Sequence, residues 1–243
     1  MPSHTPVLDH VAVAVPSAEQ AAAFLTGRLG ARPDASGPGF GFRWWQWLLG
    51  RGGRLEILEP DGPKDGFLHR FLAQRRGPAV HHVTFKVPAL ADAVGRAREL
   101  GFDVVGESDL DPSWKEAFLH PKSAQGIVVQ LAETHPELEP PDVPRYPFEG
   151  ISQTAFEPAS LVGLRLTAES EERARHQWQT MLGGAVASEN GRLVFRWPDS
   201  PIRIAVEVMP DTESGPGPTG LEFAPGAELP DARSVLGTAL IQV

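Results

Sequence analysis

His10 and His82 open two similar runs, Asp9-His10-Val11-Ala12-Val13-Ala14-Val15-Pro16 and His81-His82-Val83-Thr84-Phe85-Lys86-Val87-Pro88, which align at an offset of 72 residues. Both runs are rich in β-branched and aromatic residues and read as strands. Side chains alternate along a strand, so the alignment selects His82 as the partner of His10 and leaves His81, with Asp9, on the other face. The last strands of the same two segments correspond at an offset of 74, which sets Glu56 in Arg54-Leu55-Glu56-Ile57-Leu58-Glu59 against Gln130 in Val128-Val129-Gln130-Leu131-Ala132-Glu133. Two imidazoles, a carboxylate and an amide oxygen suit one divalent ion, Zn²⁺, Co²⁺, Ni²⁺, Mn²⁺ or Fe²⁺, with positions left for water or substrate. A single histidine in a strand is more often a hydrogen-bonded core residue than a ligand. What favours a shared site is the repetition of the histidine together with the polar residue. His4, His69, His120, His135 and His176 have no such counterpart and read as surface or structural residues.

The elements that must position these residues repeat as well. Leu8 to Val15 reads as a strand. A helix follows from a capping-box start at Ser17 and Gln20, with Ala21, Phe24, Leu25 and Leu29 at helical spacing up to Gly30. One further strand is expected in the Gly- and Pro-rich stretch 33–41, then a hairpin of Phe42 to Leu49 and Arg54 to Pro60, and a short helix from Gly66 to Arg75. The second copy has a strand at 80–87, a helix at 89–100, and strands at 102–105, 116–119 and 126–131. A period near 70 residues points to internal duplication and not to a solenoid. The fold class expected is α+β, with tandem βαβββ modules forming half-open barrels. Residues 1–135 are one domain with two modules and the metal site, 136–158 a Pro-rich linker, and 159–243 a second, shortened domain. There Leu161 to Ala168 and a helix to Leu182-Gly183 match Leu8 to Gly30 at an offset of 153, and strands at 192–197 and 203–208 complete a third copy. A fourth begins at Gly220 and is cut short. Gly163, Gly220 and Val206 stand in for His10, His82 and Glu56, so this half reads as a scaffold.

The formal charge of −9 over 243 residues disfavours nucleic acid and anionic membranes as partners. The absence of cysteine excludes thiol nucleophiles and Cys-based metal sites. No apolar run approaches the roughly 18 residues of a membrane span. The N-terminus has no basic region ahead of an apolar run, so the expected location is cytoplasmic. Trp45 and Trp47 share one face of their strand, Trp44 and Gln46 the other. Trp45 and Trp47 are candidates for an aromatic substrate wall, with inter-element packing as the alternative. Lys122, with Arg43 or Lys115, is the candidate to meet a substrate anion.

Residues 7–133 resemble the vicinal oxygen chelate superfamily, and within it the methylmalonyl-CoA epimerases. The resemblance rests on the run order of Asp9-His10-Val11, Leu55-Glu56-Ile57-Leu58-Glu59-Pro60, His81-His82-Val83, Phe118-Leu119-His120-Pro121-Lys122-Ser123 and Gly126-Ile127-Val128-Val129-Gln130-Leu131. It implies paired modules with one divalent metal held on first and last strands, at His10, Glu56, His82 and Gln130. It also implies an isomerase or lyase of the epimerase or glyoxalase type, acting on an acyl-CoA or a 2-oxo or 2-hydroxy compound through a metal-stabilised enediolate. The family carries a glutamate where this chain has Gln130, and that glutamate serves glyoxalase I as a base, which an amide cannot do. The catalytic base is therefore unassigned. A non-enzymatic, drug-sequestering protein and an Fe(II) dioxygenase are the alternatives, and a monomeric pseudo-dimer or a homodimer is the expected assembly.

Overall fold

The computed structural model describes residues 5–139, 157–211, 215–226 and 228–243. The first module comprises β1 (Val7–Ala14), α1 (Ala18–Leu29), β2 (Arg32–Gly39), β3 (Phe42–Leu49) and β4 (Gly53–Pro60), followed by α2 (Phe67–Arg75). The second comprises β5 (Ala79–Lys86), α3 (Leu90–Glu99), β6 (Val104–Ser108), β7 (Trp114–Leu119) and β8 (Val128–Thr134). The third comprises β9 (Leu161–Ala168), α4 (Glu171–Arg175), β10 (Ala185–Glu189), β11 (Arg192–Arg196) and β12 (Arg203–Val208). The fourth is reduced to β13 (Gly217–Phe223), α5 (Arg233–Leu236) and β14 (Ala239–Gln242). The α+β architecture of tandem βαβββ modules with a degenerate second half stands as expected.

An eight-stranded sheet has the order β2-β3-β4-β1-β5-β8-β7-β6, and a six-stranded sheet the order β10-β11-β12-β9-β13-β14. In each full module the last strand runs parallel to the first, β4 on β1, β8 on β5 and β12 on β9. A parallel pair needs a crossover, which the module's helix supplies. The first strand is thereby flanked on both edges, and β1 is accordingly almost fully buried along its length.

The helix starts differ from the capping box read in the sequence. Ser17 occupies the N-cap position of α1 without accepting a hydrogen bond through its side chain. The Ala18 N–H instead donates to Glu59 on β4 at 2.9 Å, and Arg43 on β3 holds the other oxygen of that carboxylate at 2.7 Å. The second module repeats the device. Leu90 N–H donates to Glu133 at 2.7 Å, and Lys115 Nζ pairs with its other oxygen at 2.8 Å. A carboxylate from the neighbouring strand outcompetes the local hydroxyl because it carries full charge into the positive end of the helix. In the third module, α4 is capped locally by Ser170.

Three further differences have physical causes. The helix expected to reach Leu182 gives way after Arg175 to a π-helical turn, His176–Met181, whose Trp178 and Met181 are buried. β10 was not anticipated, since its largely exposed edge carries no apolar pattern. The third-module residue at the place of Glu56 is Ala205, not Val206: Ala205 pairs with Arg165 as Glu56 pairs with Ala12, one residue away from the sequence alignment. His4 and most of the proline-rich linker, from residue 140 to 156, lie outside the described residues.

The chain packs as two compact units, one from Met1–Asp9, His82–Pro141 and Gly163–Thr219, the other from His10–His81, Asp142–Val162 and Gly220–Val243. In the first, Phe85 meets Trp197 edge-on at 4.9 Å, Trp197 Nε1 donates to Leu182 O at 2.7 Å, and Gln125 Nε2 donates to Arg173 O at 2.9 Å. In the second, Ala159 N–H donates to Leu29 O and Ala224 N–H to Ser160 O, each at 2.9 Å. Each unit thus buries a module of the first half against one of the second.

Three donors, from Leu90, Lys115 and His135, hold Glu133 down from 4.5 to about 2. A carboxyl that titrates near 4.5 unfolded and near 2 folded contributes stability above pH 4.5 and loses it as pH falls toward 2. Glu133→Gln is expected to cost about 1–2 kcal/mol at pH 7. In urea titrations that difference from the parent protein should vanish between pH 4.5 and 2; a pH-independent difference would refute the cap.

Candidate metal centre

The register of each parallel pair decides what faces the site. On β4, Glu56 lies opposite Ala12 of β1, so it shares a face with His10 two residues earlier. On β8, Gln130 lies opposite Thr84 of β5 and so shares a face with His82. The side-chain ligand atoms of His10, Glu56 and His82 all lie within 4.8 Å of one another, and all three residues are buried. His10 Nε2 stands 3.6 Å from Glu56 Oε2. That is longer than a hydrogen bond, but close to the spacing of about 3.4 Å that bonds of about 2.1 Å impose on two tetrahedral ligands. The donor chemistry also fits a borderline divalent cation.

Partners on the neighbouring strands orient these groups. Gln46, opposite Glu56 on β3, donates Nε2 to Glu56 Oε2 at 2.9 Å. Gln130, buried, accepts from Thr84 Oγ1 at 2.6 Å and donates Nε2 to Glu116 Oε2 at 2.6 Å. Gln46, Thr84 and Glu116 were not among the expected site residues. The signal was present as polar residues at alternate positions of otherwise apolar strands, but only the register says which of them meet.

In the first module this face is covered. α2 lays Leu68, Phe71 and Leu72 over Ala12, Ala14 and Leu58, with Phe42 and Trp44 at the margin. Small residues on β1 leave the room for a helix. His81 packs edge-on against Phe71 at 4.7 Å, and this burial lowers its pKa to about 4, so the ring is neutral at pH 7. Trp44 lies across β2, where a Cβ on Gly37 would come within 2.8 Å of its ring, and its Nε1 donates to Pro38 O at 3.2 Å.

For Trp45 and Trp47, read as an aromatic wall or as inter-element packing, the burial favours packing. Gln46 bonds to Glu56, so alternation sends Trp45 and Trp47 to the opposite face, where they are 5% and 0% exposed. They pack the core. Arg43 is committed to Glu59 and lies over the Trp45 ring, and Lys115 is committed to Glu133. Lys122 is exposed in the loop after β7, with its backbone N–H on His120 Nδ1. The aromatics that alternation does place on the face of Gln130 are Trp114 and Phe118, both half-buried.

Residues 9–118 match the family model of the glyoxalase/bleomycin resistance protein/dioxygenase superfamily. The chain is 32% identical over 131 residues to the ethylmalonyl-CoA/methylmalonyl-CoA epimerase of Cereibacter sphaeroides, a match covering 52% of this chain and 96% of that protein. This chain belongs to the glyoxalase/bleomycin resistance protein/dioxygenase superfamily. The human mitochondrial methylmalonyl-CoA epimerase is likewise 32% identical over 133 residues, covering 52% of this chain and 73% of that one. Two solved structures show the superfamily fold. The methylmalonyl-CoA epimerase of Mycobacterium tuberculosis has a TM-score of 0.50 at 24% identity, covering 57% of this chain and 94% of its own. A mutant 4-hydroxymandelate synthase from Streptomyces coelicolor has a TM-score of 0.64 at 15% identity, covering 91% of this chain and 71% of its own. The superfamily match lies in the half that carries His10, Glu56 and His82.

With Trp47 fully buried on the face away from these residues, Trp47→Ala is expected to cost about 3–5 kcal/mol of stability. Its effect should appear in the urea midpoint, while metal uptake per folded molecule stays at the parent level. A loss of uptake without a loss of stability would return Trp47 to the site.

Proposed function

We propose that His10, Glu56 and His82, with the carboxamide oxygen of Gln130, hold one divalent metal ion, Zn, Co, Ni, Mn or Fe, and that the protein is an epimerase- or glyoxalase-like isomerase or lyase. The observation that carries this reading is the convergence of three buried donors within 4.8 Å. Such an ion would supply Lewis-acid charge to the oxygens of a chelating substrate, favouring loss of a proton from the adjacent carbon. The names of the epimerase relatives support an acyl-CoA as the substrate class, with a 2-oxo or 2-hydroxy compound as the other class.

The chain's own residues have distinct parts in this reading. The two imidazoles are neutral donors, so Glu56 carries the only formal negative charge among the four ligands. Gln46 fixes which oxygen of Glu56 faces His10. A glutamine in place of a second carboxylate leaves more of the cation's charge for the substrate oxyanion. Burial of all four residues keeps bulk water from screening that charge. Gln130 cannot accept the substrate's proton, so the base lies elsewhere or is a solvent molecule.

A second reading is favoured by the composition of the group. Two histidines and one carboxylate form the facial set used by non-haem Fe(II) for oxygen chemistry. A third, a drug-sequestering binding protein, needs no metal.

Elemental analysis of purified, metal-reconstituted protein separates these. About one equivalent is expected, falling below about a tenth in His82→Ala, since buried protein ligands retain their ion through purification. Less than a tenth in the parent protein, unchanged by His82→Ala, would leave the binding-protein reading. For a metal-loaded protein, deuterium incorporation at the α-carbon of methylmalonyl-CoA in D₂O is expected. Its absence across several acyl-CoAs, with substrate-dependent oxygen uptake by the Fe(II) form, would favour the second reading.

A further inference from the structure

We propose that Glu116 is a positioning residue that holds the Gln130 carboxamide in the one orientation able to offer an oxygen to the ion; this rests on the metal reading above. A carboxamide has two ends of nearly the same shape, and only its oxygen ligates a cation. The environment of Gln130 must therefore distinguish them. Thr84 Oγ1 lies 2.6 Å from Oε1, but a hydroxyl both donates and accepts, so Thr84 tolerates either end. Glu116 does not. An ionised carboxylate only accepts, and its Oε2 lies 2.6 Å from Gln130 Nε2. Reversing the amide would set two oxygens, each with lone pairs and no proton between them, at that distance.

Glu116 is itself held. Its Oε2 also accepts from the Trp114 indole N–H at 3.1 Å, and its place on β7, opposite Ala132, puts it on the same face as Gln130. The first module has the complementary arrangement, an amide on β3 donating to the carboxylate on β4. In the second module the carboxylate stands on β7 and the amide on β8. Position 130 is uncharged where its counterpart Glu56 is a carboxylate, and a carboxylate stands one side chain further out, at Glu116. From there it orients the ligand without joining it.

The isosteric variant Glu116→Gln removes the discrimination, because an amide at 116 accepts or donates. The double variant Glu116→Gln with Gln130→Glu removes the need for it, because both ends of a carboxylate are oxygen. In the metal-free protein the Gln130 side-chain NH₂ pair in ¹⁵N–¹H spectra, assigned by its loss in Gln130→Glu, is expected to shift in Glu116→Gln. In the Co²⁺ protein, Glu116→Gln is expected to weaken binding about 10- to 100-fold and to change the visible d–d bands, as loss of a ligand's supporting partner does. The double variant should recover most of that affinity, which a purely structural role for Glu116 would not permit. An unmoved Gln130 signal, or Co²⁺ binding and bands indifferent to Glu116→Gln, overturns the inference alone. A parent protein that takes up no Co²⁺ overturns the metal reading, and with it the ligand-presenting role.

Discussion

The parallel register of each module's last strand on its first is the constraint on which the candidate site depends. Glu56 faces His10 only because β4 pairs with β1 as Glu56 on Ala12; a one-residue slip would send the carboxylate to the opposite face. Nothing in the parallel ladder itself forbids that slip, since a backbone pairs equally well one residue along with its side chains reversed. The tie comes from the other side of the sheet. Glu59 follows Glu56 by three positions, an odd spacing, and so points toward the helix face. There it takes the first N–H of α1 and the Arg43 guanidinium. Glu133 does the same for β8, three residues after Gln130. Each last strand thus carries two polar residues on opposite faces, one locking strand, helix and neighbouring strand in register and one facing the candidate site.

This arrangement explains why the positions of His10, Glu56, His82 and Gln130 were legible in the sequence. They recur at matching places in two copies, and the flanking apolar residues align with them. The α+β modules and the truncated fourth copy were legible for the same reason, whereas the parallel pairing of first and last strands came only from the structure. Where no polar marker breaks an apolar strand, the alignment has nothing to hold it. Val206 and Ala205 are both apolar and buried, and only the pairing of β12 with β9 separates them.

The tryptophans of β3 show a different limit. Alternation divides Trp45 and Trp47 from Trp44 and Gln46, but a strand with tryptophan on both faces gives no sign in the sequence of which face holds the site. The Gln46 to Glu56 hydrogen bond supplies it. The cap of α1 differs from the capping box at Ser17 and Gln20 for a related reason. Ser17 with Gln20 satisfies a local pattern, whereas the winning acceptor lies 41 residues away in sequence. Edge strands were the least visible, because β2, β6 and β10 are largely exposed and carry little periodic hydrophobicity.

The second half follows from the cost of buried polarity. A histidine or carboxylate kept at a central-strand position without an ion or a hydrogen-bond partner costs on the order of 1–3 kcal/mol. Once such a position holds no ligand, glycine and alanine remove that cost, and Gly163 and Ala205 occupy the places of His10 and Glu56. The third module also supplies bulk. Trp178 and Trp197, both nearly inaccessible, pack against Phe85, which alternation sets on the face of β5 away from His82. The third module therefore supports the strand that carries a candidate ligand from behind. Packing of that kind tolerates the loss of site chemistry but not of volume, since filling a large buried space is worth several kcal/mol per aromatic side chain. Duplicated modules can for that reason diverge into one copy that keeps donors and another that keeps only its core.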